Sequence, residues 1–289
     1  MSIKLEHVTY TYGVGSPFEK TALTDTNVEI HSGEFVGIIG HTGSGKSTFV
    51  QLLNGLIQPT SGHVYVNGTD IGQKTKEAMA VRHKVGMVFQ YPEYQLFEET
   101  IAKDIAFGPR NFGLSEDEIE GRVKEAMEFV GLDYKLYKDR SPFRLSGGQM
   151  RRVAIAGVIA IHPEYLILDE PSAGLDPIGR REIFSQIQEW HEKKGITVIL
   201  VSHNMEDISR LASRLLVISD GKILLDGKPL DIFSTQQQVL KEAGVAVPPV
   251  TDVLQYLQGR GFAITNKVHT VAEGADVIYD YVRGKSHAH

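Results

Sequence analysis

The chain contains no cysteine. Disulfide scaffolding, thiol nucleophiles, iron–sulfur clusters and cysteine-bound zinc are therefore excluded together, and the absence fits a reducing compartment. Basic charge is in short supply: 30 Lys and Arg stand against 36 Asp and Glu, a net charge of −6. That is the wrong sign for a chain whose main work is coating nucleic acid. Long apolar runs are missing as well. The longest uncharged one, Val153 to Ile161, is nine residues and stops at His162-Pro163, whereas a membrane span needs about twenty. The opening MSIKLEHVTYTY alternates like a strand and is charged by residue 4, unlike a secretory signal. The expectation is a soluble, cytoplasmic-side chain that reaches any membrane only through a partner.

What is present is ordinary globular material. At 289 residues and 42% hydrophobic, the chain can bury about three quarters of its unfolded surface and make about two domains. Residues 3–12 and 22–31 alternate as half-buried strands. Glu34 to Gly40, Tyr165 to Asp169 and Ile196 to Ser202 are nearly continuous apolar runs, the signature of strands buried on both faces in a parallel sheet. A helix carrying Phe49, Leu52, Leu53 and Leu56 on one face follows the first run, and short strands are expected at His63–Asn67 and Val85–Phe89. The region from about 91 to 162 is helical: Ser115 to Glu118 reads as a capping box, and a second helix starts near Gly147. Asp176, Pro177 and Gly195 bracket a later helix. Leu215–Ser219 and Lys222–Leu225 flank an Asp220-Gly221 hairpin turn. A Gln-rich patch from 235 and Pro248-Pro249 suggest a linker ahead of two short helices near Asp252–Gln258 and Ala272–Val282.

Three motifs carry chemistry. Gly40, His41, Thr42, Gly43, Ser44, Gly45, Lys46 and Ser47 match G-x-x-x-x-G-K-[ST] between a buried strand and a helix that continues through Thr48. Such a loop turns its N–H groups onto phosphates, Lys46 reaches the β/γ-phosphates and Ser47 ligates Mg²⁺. Tyr165 to Glu170 delivers two carboxylates at the end of a buried strand, where α/β sheets bind ligands. Asp169 is the candidate Mg²⁺ ligand and Glu170 the candidate base for an attacking water. Leu145, Ser146, Gly147, Gly148 and Gln149 open a helix with a cap and bare N–H groups, either a second anion site or an ordinary N-cap. Arg151 and Arg152 after it read as surface charges.

Taken in order, Gly40–Ser47, Gln90, Leu145–Gln149, Leu166–Glu170, Ser172–Asp176 and His203 resemble the ATP-binding cassette (ABC) ATPases. The phosphate loop starts 105 residues before Leu145, the acidic strand follows 16 after Gln149, and His203 lies 33 beyond Glu170. The resemblance implies a P-loop NTPase fold for residues 1–235: a mixed α/β core sheet, an antiparallel β subdomain and an inserted α-helical subdomain over about 91–162. Residues 236–289 are then a small C-terminal α/β extension, either a dimerisation clamp or a passive appendage. His287 and His289 are expected to form no metal site. The resemblance further implies a head-to-tail cassette dimer with ATP between one P-loop and the partner's signature. Tyr12 stacks on adenine in that reading, with Tyr10 and Phe18 as alternatives. Gln90 senses Mg²⁺ and the water, His203 holds the γ-phosphate, Ser146, Gly147, Gly148 and Gln149 act in trans, and Asp176 both caps its helix and touches the partner.

A finer resemblance lies in Gln90 to Thr100 and Asp104 to Pro109. It is to the ATPase subunits of energy-coupling factor (ECF) importers of vitamins and transition-metal ions, most like the second of two paralogous ATPases. This implies a peripheral subunit at the cytoplasmic face of the cell membrane, paired with a paralogous ATPase or a second copy. Tyr91, Pro92, Tyr94, Leu96 and Phe97 are then an apolar groove for a transmembrane scaffold, or alternatively helical-region core. Substrate is bound by separate membrane subunits. The competing readings are another transporter's ATPase, a soluble ABC protein acting on DNA or ribosomes, a P-loop kinase or GTPase, and a catalytically dead regulatory subunit.

Overall fold

The structure, a computed structural model, describes residues 1–286. The chain runs β1 (Ser2–Tyr12), β2 (Lys20–His31), β3 (Phe35–Ile39), α1 (Lys46–Leu53), β4 (Ser61–Val66), β5 (Thr69–Asp70), α2 (Lys76–Arg82) and β6 (Val85–Val88). It then passes through α3 (Ile101–Asn111), α4 (Glu116–Phe129), α5 (Tyr134–Tyr137) and α6 (Gly147–Ile159). It returns as β7 (Tyr165–Asp169), α7 (Pro177–Lys194), β8 (Thr197–Val201), α8 (Met205–Leu211), β9 (Arg214–Ser219) and β10 (Lys222–Gly227). The last helices are α9 (Pro229–Thr235), α10 (Gln237–Glu242), α11 (Pro249–Gly259) and α12 (Val271–Ser286).

Two sheets organise these elements. One has the order β10-β9-β3-β8-β7-β6, with every neighbouring pair parallel except β10 with β9. The other is the antiparallel sheet β2-β1-β4-β5. Period-2 geometry divides the apolar runs between two cores. Leu166 and Leu168 of β7 face one core with α3, α4, α6 and α7, while Tyr165 and Ile167 face the other with α1 and the antiparallel sheet. Burial on both faces is why these strands show no alternation in the sequence. Local signals agree with this plan. Ser115 and Glu118 cap α4 reciprocally, Asp176 accepts from the Gly179 N–H ahead of α7, and Gly195 ends α7 at φ 67°.

Three expectations need correction. Leu56 does not lie on α1: the helix stops at Leu53, Gly55 turns the chain at φ 70°, and Leu56 is exposed. The Gln-rich stretch is not a linker, because Leu240 of α10 and then Ala243 and Val245 just after it enter the cassette's helix-side core. The apolar packing therefore continues past residue 235. The C-terminal extension, expected to be α/β, has no strand among the described residues. Its Ile264 and Val268 instead pack as irregular chain against Val250 and Leu254 of α11 and Val277 and Ile278 of α12. That small core is tied back to the cassette by a Lys267–Asp231 ion pair of 2.7 Å and by the His269 ring against the Ser209 carbonyl. His287 and His289 lie outside the described residues. No helix among those described is long and apolar enough to cross a membrane.

Candidate functional site

Because β3, β8, β7 and β6 run parallel, four motif-bearing turns emerge at one edge of the sheet: Gly40 after β3, Glu170 after β7, His203 after β8 and Gln90 after β6. The loop from Gly40 to Gly45 closes tightly on itself. A Cβ at Gly40 would sit 2.1 Å from the Ile218 carbonyl oxygen, and Gly45 enters α1 at φ 109° with the Ala22 carbonyl 2.6 Å from any added Cβ. No other residue type fits either position. Ser44 is fully buried and its hydroxyl has no partner. Lys46 is buried too, its Nζ donating to the carbonyls of Gly40 at 2.7 Å and His41 at 2.9 Å. Desolvation holds its pKa below the usual lysine value, while Glu170 and Asp169 oppose that shift. His41 and Thr42 form the outer turn of the loop; Ser47 and Thr48 are the first-turn residues of α1.

The acids stand opposite. Asp169 is buried at the end of β7, its pKa raised by desolvation and eased by Lys46 and the Ser47 hydroxyl. Glu170 sits in the left-handed region at φ 50°, a conformation that costs energy for a side chain of this kind. Its N–H donates to the Val201 carbonyl at 3.0 Å, and one carboxylate oxygen is buried without a hydrogen-bond partner. Desolvation, and then the neighbouring Asp169 charge, push Glu170 up to about 7. His203 Nε2 stands 3.6 Å from that oxygen, and burial and Lys46 hold the imidazole below its ordinary value. Gln90 lies exposed at the same edge with no hydrogen bond to this cluster.

Two separate clefts complete the picture. A cavity of about 190 Å³ is lined by Tyr12, Lys20, Ala22, Gly43, Gly45, Lys46, Ser47 and Thr48. The Tyr12 hydroxyl is held 3.0 Å from Thr48 Oγ1, and its ring meets the Tyr10 edge at 4.7 Å. A second cavity of about 600 Å³ brings together Ser146, Gly148, Gln149 and Asp176 with Tyr137 and Arg152. Ser146 and Gln149 form a reciprocal capping box there. A Cβ at Gly147 would meet nothing, and one at Gly148 only Leu175 at 3.8 Å. The chain's own packing does not require these glycines, so the room they leave faces outward. The two cavities share no residue.

A glycine-rich loop at a helix start, around a buried lysine and the unpartnered buried Ser44 hydroxyl, is an anion site, and the flanking Tyr12 suits a nucleoside triphosphate. Ser47 and Asp169 are oxygen donors of the kind a hard cation takes. No group of three or more His, Asp or Glu side chains among the described residues would hold a metal alone. A divalent ion here would therefore lean on substrate phosphates for the rest of its shell.

Residues 23–173 match the family model described as ABC transporter. The chain is 54% identical over 286 residues to the energy-coupling factor transporter ATP-binding protein EcfA2 of Clostridium perfringens, covering 99% of this chain and all of that one. It is 55% identical to the EcfA2 of Clostridium tetani over 273 residues, 94% of each chain. This chain belongs to the ABC transporter family. Within it the chain falls among the energy-coupling factor ATP-binding subunits, and it is an ATPase. The fold agrees with the solved cbiO1 of Clostridium perfringens, part of the complex cbiONQ, at TM-score 0.71 and 37% identity over 83% of this chain and 93% of that one. It agrees equally with the dimeric cassette MJ0796 in a post-hydrolysis state with ADP and Pi, at TM-score 0.70 and 31% identity over 78% and 98%.

The structure revises some of the ABC cassette's expected site. Pro92 and Leu96 are buried and belong to the core; Tyr91, Tyr94 and Phe97 are exposed. Phe107 of α3, which sequence reasoning missed, joins them by packing edge-on to Phe97 at 4.9 Å. Lys20 was also missed. Arg151 is no surface charge: it is 2% exposed and forks onto Glu93. The signal was there in the spacing, since Arg151, Ile155 and Ile159 recur every four residues on the buried stripe of α6. Arg152 is partly buried against Glu182 and the Val130 carbonyl.

Proposed function

We propose that this chain is the ATP-hydrolysing motor subunit of an ECF importer, working at the cytoplasmic face of the membrane as one half of a head-to-tail cassette dimer. The observation that carries the reading is Glu170: a strained, half-desolvated carboxylate with a free buried oxygen, at the carboxyl edge beside Lys46, Asp169 and His203. In this reading Gly40 to Thr48 enclose the phosphates and Lys46 exchanges its two carbonyl partners for phosphate oxygens. Glu170 takes a proton from the water that attacks the terminal phosphorus as the bond to the ADP oxygen breaks. His203 steadies the transferred group and Gln90 orients the water. Ser47 and Asp169, with Gln90, would hold a magnesium ion, which would supply charge neutralisation on the phosphates. The distant cavity of Ser146, Gly147, Gly148, Gln149 and Asp176 serves the ATP of the partner cassette. Residues 1–235 with α10 act as the cassette, and the rest is an appended unit. The transported substrate is bound by separate membrane subunits and needs no contact with this chain.

Tyr12 makes the first test of the nucleotide site. With base–aromatic stacking worth about 1–3 kcal/mol, Tyr12→Ala should raise KM for ATP by roughly 5- to 150-fold and leave kcat nearly unchanged. Tyr12→Phe should restore most of the loss in a steady-state assay. An unchanged KM would transfer the adenine contact to Tyr10 or Phe18.

The importer reading is tested by affinity purification of a tagged Glu170→Gln chain from native cells in mild detergent with Mg-ATP. A second ABC ATPase, a transmembrane scaffold and small membrane subunits should co-purify. Adding Tyr94→Glu and Phe97→Glu should release the membrane subunits and keep the second cassette. Recovery of ribosomal or DNA-bound proteins would overturn the assignment and leave the ATPase chemistry intact.

A further inference from the structure

Arg151 occupies a position that hydrolysis alone does not explain. Its Nε donates to Glu93 Oε2 at 3.0 Å and its Nη2 to Glu93 Oε1 at 2.8 Å, while Nη1 donates to the Ala173 carbonyl. Its guanidinium also stands 5.8 Å from the centre of the Tyr91 ring. The contacts fall on two other segments of the chain. Glu93 is in the single 3-10 turn Pro92–Gln95 that follows Gln90, between the exposed Tyr91 and Tyr94. Ala173 is in the loop joining Glu170 to Asp176, and Arg151 itself is on α6, which Ser146 caps. A planar guanidinium used bidentately fixes both distance and angle between the parts it joins, which a flexible ammonium does not. A charge this deeply buried keeps its place only while all its partners are present.

We propose that Arg151 is a positioning residue that locks the turn after Gln90 to the loop between Glu170 and Asp176, so that groove, signature helix and hydrolytic edge move as one body. The proposal rests on the importer reading for its consequence, since a partner pressing on Tyr91 and Tyr94 acts on the turn that holds Glu93. It predicts a pattern that mere structural support would not give. Arg151→Lys keeps the charge and loses the fork; Glu93→Gln keeps the shape and loses the charge. In the purified assembly of cassettes and membrane subunits, each should lower kcat by about tenfold or more with KM for ATP within about twofold of the unsubstituted chain. The double variant should be no slower than the slower single one, because both remove the same lock. Rates are referred to the folded fraction, counted by the stoichiometry of a fluorescent ATP analogue.

Losses that multiply in the double variant, a rise in KM at constant kcat, or unchanged turnover would each overturn the proposal. A tenfold loss confined to kcat and shared by all three variants supports it. If the unsubstituted chain recovers no membrane subunits, the importer reading is what fails. The same cycle measured on the cassette dimer alone then still decides the role of Arg151.

Discussion

Glu170→Gln should lower ATP turnover by about 10²–10⁴-fold while ATP still binds. The substitution keeps the side chain's size and its place at the end of β7, and it removes the basic oxygen. That oxygen is buried with no hydrogen-bond partner, an arrangement that costs stability and makes sense only if a proton-bearing group is to arrive there. The loss should fall on kcat, because Lys46, Ser44 and Ser47 lie in the phosphate loop and keep their positions. Single-turnover hydrolysis with excess protein, set beside a binding titration, separates the two. If the variant turned over at the full rate, Glu170 would be no base.

The same residue sets a pH dependence. A carboxyl raised to about 7 by desolvation and by Asp169 is largely protonated below neutrality and cannot accept the water's proton. Since kcat/KM reports the free protein, log kcat/KM should climb with pH and level off above about 7, and that rise should vanish in Glu170→Gln. Stability runs the other way. The folded chain holds this proton more tightly than the unfolded one, so its contribution is fully present below the unfolded value near 4.5 and is lost as pH rises through about 7. Activity and stability thus diverge across the same window, as expected where a site stores strain for chemistry.

Much of this was legible in the sequence because the features are local. A glycine loop followed by Lys-Ser, an apolar strand ending in two acids, and Ser-x-x-Gln at a helix start are each read within a few residues, and the structure forms the corresponding turns and caps. The misreadings at Arg151 and Leu240 share one cause: they needed long-range contacts. Glu93 and Arg151 meet across 58 residues, so neither looked partnered in the chain. Pro92 and Leu96 enter the groove reading only because the resemblance assigns it the stretch from Tyr91 to Phe97, and a 3-10 turn has no strict period to say which side chain points inward. Leu240 was hidden in a glutamine-rich stretch whose composition suggested a linker, yet that one buried leucine was enough to anchor α10. Composition predicts disorder only when no packed surface waits to receive the segment.

Lys46→Ala should separate nucleotide binding from folding. In the free chain the ammonium donates to two backbone carbonyls, and its desolvation outweighs the attraction of Glu170 and Asp169, so removing this charge is close to neutral for stability or favourable. The melting temperature without nucleotide should therefore stay level or rise. With ATP the outcome reverses. Truncating one partner of a buried charged contact costs about 2–5 kcal/mol, so affinity should drop by tens- to thousands-fold. The stabilisation that ATP confers on the unsubstituted chain, which grows as RT ln(1 + [L]/Kd), should shrink sharply at the same concentration. Losing the cation also removes the attraction that eases ionisation of Asp169 and Glu170, so both carboxyls should titrate higher still. Thermal unfolding with and without ATP, and across pH, reads all three effects on one sample. A variant that kept the full ATP-induced rise would place the phosphates outside the loop that begins at Gly40, and the chemistry assigned to Glu170 would lose its substrate.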